Sequence, residues 1–72
     1  MEKDFSKLIG RIIEKFGSRT AFCKAWGKKN EYLSRRLNNV TEFDANDMIE
    51  IIELLCIGPE DINTYFLTIK VR

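Results

Sequence analysis

The sequence predicts an all-α fold of five short helices followed by an extended C-terminal tail. Three observations carry this prediction. Apolar residues recur at helical spacing through most of the 72 residues, capping and helix-breaking residues fall between those stretches, and only Leu67–Arg72 alternates as a strand does. No repeat, linker or low-complexity segment divides the chain, so residues 1–72 read as one domain.

Phe5, Leu8, Ile9, Ile12, Ile13 and Phe16 make the apolar stripe of the first helix, with Asp4 as its N-cap and Gly17 as its stop. Gly10 lies inside that helix, where glycine costs about 1 kcal/mol relative to alanine. It is expected to mark a close approach by a neighbouring helix. Ser18 caps a second helix over residues 19–26 that turns Phe22, Cys23, Ala25 and Trp26 inward, and Gly27 supplies the turn. A third helix over about residues 30–38 is anchored by Leu33 and Leu37, with Glu31, Tyr32, Arg35 and Asn38 on the far side. After a loop in which Phe43 tucks inward, Asp44 and Asp47 open a fourth helix. Its expected core face is Ala45, Met48, Ile49, Ile52, Leu55 and Cys56. Ile51 flanks that face and Leu54 lies opposite it, to be covered by the C-terminus or offered to a partner. Gly58-Pro59-Glu60-Asp61 starts a short fifth helix that buries Ile62, Tyr65 and Phe66. The alternating tail needs an edge to pair with, in a second copy or in its own chain.

Composition narrows the function. The chain has no His, and Cys23 and Cys56 lack metal-ligand spacing, so no metal or other cofactor is expected and both thiols are read as buried. No nucleophile stands near a base, no glycine loop cradles phosphate and no carboxylates pair, so an enzyme is not expected. No apolar run approaches a membrane span and Met1-Glu2-Lys3-Asp4 is too charged for a signal sequence, which places the protein in the cytoplasm.

The net charge of +1 hides an asymmetry. Residues 1–36 hold ten Lys/Arg against four Asp/Glu, net +6; residues 37–72 hold two against seven, net −5. The basic half suits phosphate and the acidic half suits a basic partner. Two helices around a short glycine turn, the second with a polar outer side, have the layout of a DNA-reading helix-turn-helix. In that reading Lys29, Asn30, Glu31, Ser34 and Arg35 face the bases, Arg35 for guanine and Asn30 for adenine. Arg19, Lys28, Arg36, Asn38 and Asn39, with Arg11 beside them, face phosphates.

These residues carry a resemblance to the Cro and repressor helix-turn-helix family of temperate phages, with its lambda-repressor-like five-helix domain. Phe22, Cys23 and Trp26 stand at its apolar and small positions, Gly27 at its turn and Leu33 at its main anchor. Leu37-Asn38-Asn39, Glu53-Leu54-Leu55-Cys56-Ile57 and Tyr65-Phe66-Leu67-Thr68-Ile69-Lys70-Val71 resemble a small phage subfamily. The resemblance implies a regulator of a lysis-lysogeny switch in a bacterial host cell, binding double-stranded operator DNA. One recognition helix reads too few base pairs for useful specificity, so a chain that binds DNA alone is expected to dimerise, with the C-terminal strand as the contact. This chain departs from the family at Lys28 and Lys29, which replace an aliphatic residue and a capping Ser or Thr, so Asn30 is expected to cap the third helix. The resemblance also implies an alternative, a modulator of repression that covers the basic DNA-binding surface of a phage repressor protein, docking either through the acidic Glu42, Asp44, Asp47, Glu50 and Glu53 or through Tyr32 and the Lys29, Asn30, Glu31, Ser34 and Arg35 set on the third helix.

Overall fold

Local bonds set the helix boundaries in the computed structural model, which describes residues 2–70. Helix α1 spans Ser6–Phe16, α2 Arg19–Trp26, α3 Asn30–Leu37, α4 Ala45–Leu55 and α5 Ile62–Phe66, with a 3-10 turn at Pro59–Asp61. The Asp4 carboxylate accepts the Ser6 N–H at 2.9 Å, although Phe5 occupies the N-cap position of α1. Gly17 ends α1 at φ 84°, and the Ser18 hydroxyl then accepts the Ala21 N–H at 3.1 Å to start α2. Asp44 and Asp47 form a reciprocal capping box at the start of α4.

One contiguous core joins the elements. Leu8 and Ile12 of α1, Phe22, Cys23 and Trp26 of α2, Leu33 and Leu37 of α3, Ile51 and Leu55 of α4, and Phe66 of α5 are buried together with Phe5 and Ile57. Edge-to-face aromatic contacts extend it: Phe16 meets Phe22 and Trp26 meets Tyr32, while Phe43 sits between Phe5 and Phe66 with centroids 5.3 and 5.5 Å away.

Several expectations need correction. Helix α4 is rotated about a quarter turn from its expected phase, at 100° per residue. Ile51 is fully buried, whereas Ile49, Ala45 and Cys56 are exposed. The physical reason is Asp47, whose carboxylate is drawn inward by partners on α3 and brings its face of the helix with it. Ala25 and Ile13 are also exposed, and no atom outside its own helix and chain neighbours lies within 4 Å of a Cβ at Gly10, so that glycine marks no close approach. The tail makes one antiparallel bridge, Lys3 with Ile69, and no strand forms among the described residues. The Asp4 N–H donates to the Thr68 carbonyl at 2.7 Å and the Lys70 N–H to the Glu2 carbonyl at 3.0 Å. Of the two partners expected for the tail, its own chain supplies this edge. Val71 and Arg72 lie outside the described residues.

Candidate functional site

Gly27 sets the geometry between α2 and α3. Its left-handed φ of 82° lets its N–H reach the Cys23 carbonyl at 2.8 Å and turns the chain sharply away. Lys29 then occupies the N-cap position of α3 with extended backbone and no side-chain cap bond. Asn30 is not the cap: its side-chain amide donates to Thr20 Oγ1 at 3.1 Å and ties the start of α3 to α2.

The expected base-facing residues are displayed together. Lys29, Asn30, Glu31 and Arg35 are exposed and Ser34 is half-buried. Beside them runs a groove of about 570 Å3, lined by the turn, Lys28, Lys29, Glu31, Tyr32, Arg35 and Arg36. Tyr32, expected to point outward, instead forms the inner wall. The Lys28 ammonium stands 5.0 Å from its ring centroid and the Arg36 guanidinium 3.5 Å.

The expected phosphate set divides. Arg19 and Asn38 are exposed and Lys28 is half-buried. Arg36 is withdrawn: it donates through Nε to Asp47 at 2.9 Å and through a terminal nitrogen to the Tyr32 carbonyl at 3.0 Å. Asn39 is withdrawn as well, accepting the Lys3 N–H and donating to the Lys3 carbonyl, both at 2.9 Å, from a left-handed backbone at φ 63°. Arg11 donates twice to the Leu55 carbonyl and pairs with Glu14 at 2.6 Å. The reason is common to all three, since strong donors near unsatisfied carbonyls or a carboxylate bond inside the molecule.

The expected acidic face divides too. Asp47 is only 2% exposed and accepts the Tyr32 hydroxyl at 2.7 Å besides Arg36. Burial pushes its carboxyl up, but the hydrogen bonds from Tyr32, Arg36 and the Asp44 backbone together hold it below the ordinary aspartate value. The same carboxylate raises the Tyr32 phenol above its usual range. Asp44 is committed to the capping box and Glu42 pairs with Lys3 at 3.4 Å. Glu50 and Glu53 remain on the outer side of α4, with Glu50 accepting the Trp26 indole N–H at 2.8 Å.

The Tyr32–Arg36–Asp47 network was missed by sequence reasoning. Tyr32 and Arg36, four apart on a helix, were the available signal; their partner on α4 was not marked locally. Cys23 is buried as expected, but Cys56 is exposed at φ 54° with its sulfur accepting from the Lys15 ammonium at 3.3 Å. Among the described residues no His, Cys, Asp or Glu group is arranged to hold a metal, and no helix is long and apolar enough to cross a membrane.

Among curated proteins none matches the chain. Among solved structures it is similar to the solution structure of the modulator of repression (MOR) of the temperate bacteriophage TP901-1 from Lactococcus lactis. The two share 32% identity, with 100% of this chain and 97% of that chain covered and a TM-score of 0.81. The family described as "Protein of unknown function (DUF739)" matches over residues 1–68, and with nearly the whole chain inside that match the protein belongs to this family.

Proposed function

We propose that this chain is a phage modulator of repression: an antirepressor that binds the DNA-binding domain of a partner phage repressor and blocks operator binding. The observation that carries the reading is its likeness, over the full chain, to the TP901-1 modulator of repression. The site's geometry supports it. In the lambda-repressor-like assignment, α2 and α3 form the helix-turn-helix and α3 is the recognition helix. Arg36 and Asn39 at the end of that helix are held by Asp47 and Lys3, so two expected phosphate contacts are occupied internally. The action is non-catalytic, needs no cofactor and takes place in the bacterial cytoplasm.

The test is a mobility-shift titration with operator DNA and the repressor encoded in the same phage genome. Adding this protein at stoichiometric amounts is expected to release the operator, while the protein alone leaves the duplex unshifted. A repressor–operator band that persists at tenfold excess overturns the proposal. A second reading, direct operator binding by α3, is favoured by the exposed Lys29 and Arg35 around the basic groove. Its mark is a shift by the protein alone that weakens with salt at a log-log slope of about −4.

A further inference from the structure

We infer that the outer face of α4, with the groove beside it, is the surface that holds the repressor, and that its occupant is that protein's basic DNA-reading helix. This rests on the function proposed above and names the docking surface.

The inward rotation of Asp47 fixes the opposite side of α4. At 100° per residue, Asn46, Ile49, Glu50 and Glu53 share one outward arc, and all four are exposed. Ile49, an aliphatic side chain at the edge of that arc beside Glu53, is 54% exposed. Alongside runs a groove of about 300 Å3 whose apolar wall is Ala25, Trp26 and Leu54 and whose rim is Glu50 and Glu53. The Trp26 indole fixes the Glu50 carboxylate through one oxygen and leaves the other without a protein partner among the described residues. The Glu53 carboxylate has no ion pair or hydrogen bond there either, because the four ion pairs use Glu42, Glu14, Asp47 and Glu2.

The occupant follows from charge and shape. A DNA-reading helix stands out from its domain and carries Arg and Lys side chains, each an aliphatic stem with a cationic head. Glu50 and Glu53 offer those heads the negative charge that phosphates would supply, while Ala25, Leu54 and the Trp26 edge receive the stems and Ile49 meets the partner at the other margin of the arc. The groove beside α3 has the wrong sign for this partner, because Lys28, Lys29 and Arg35 would meet like charge.

The experiment is calorimetric titration of the full chain with the purified DNA-binding domain of the repressor from the same phage genome, at 50 and 300 mM salt. Wild-type affinity should fall with salt. Glu53→Lys and Ile49→Asp should each weaken binding at least tenfold with unchanged helical circular dichroism, and Arg35→Glu should leave it within twofold. Both α4 variants are outward-facing, and Glu53→Lys removes no bond within the chain, so loss of fold and loss of docking are separable. Wild-type binding that survives both α4 substitutions but fails with Arg35→Glu overturns the inference and moves the surface to α3. An Ile49→Asp protein that dissociates a dimer in sedimentation yet still binds the repressor also overturns it, making the face a contact between copies. A wild-type chain that does not bind the domain defeats the proposed function itself.

Discussion

Asp47 is a carboxylate nearly sealed from water that joins three structural tasks: it accepts from Tyr32, pairs with Arg36 and closes the cap of α4. Removing one partner of a buried pair typically costs about 3–5 kcal/mol, comparable with the whole stability of a small domain. Asp47→Ala is therefore expected to be largely unfolded at 25 °C by circular dichroism, with Arg36 left buried and unpaired. The pH dependence has a definite sign. The folded carboxyl titrates below its ordinary value near 3.8, so its stabilisation is present above about pH 4 and lost as pH falls through the lower, folded value. Urea unfolding at pH 7, 4 and 3 should show wild type losing stability in the last interval. Asp47→Asn should lack that component of the loss; equal losses in both proteins would reject the assignment.

At the scale of elements, the contrast between capped and uncapped helices gives a graded test. Helix α3 starts at Lys29, whose backbone is already extended as an N-cap requires but whose side chain makes no cap bond. Lys29→Ser should stabilise the fold by about 1 kcal/mol. Gly10→Ala, at an exposed helical position with open space around it, should add about 0.5–1 kcal/mol. Gly27→Ala should remove about 1–2 kcal/mol, because its φ of 82° strains any side chain. Thermal melts of the three variants check the order. The same contrast explains what could be read from the sequence. Starts and stops at Gly17, Ser18, Gly27 and Asp44 were legible because each rests on bonds spanning three or four residues. The phase of α4 was not, since charge at Asp47 normally signals an outward face and the groups that pull it inward lie 11 and 15 residues away. For the same reason the residues displayed around α3 were legible as a set, while the internal use of Arg36 and Asn39 was not.

Across the whole molecule, Lys3 is the point where three distant segments meet. Its backbone exchanges two hydrogen bonds with the Asn39 side chain, and it bridges to Ile69 in the tail. Asn39→Gly keeps the left-handed backbone accessible and deletes only the side-chain bonds, so it should cost about 1–2 kcal/mol. Amide exchange at Asp4 and Lys70 should accelerate more than exchange in the core of α2. Uniform acceleration instead would mean that the clamp opens only with global unfolding.

That clamp also sets an order in time. Lys3 leaves the ribosome before Asn39, and Asn39 before Ile69, so the N-terminal segment cannot be locked until Ile69 has emerged. Helices α1 to α3 can pair as they emerge, yet Phe66 must arrive before their shared interior is sealed. Nascent chains stalled before α5 should therefore remain protease-sensitive at residues 2–4.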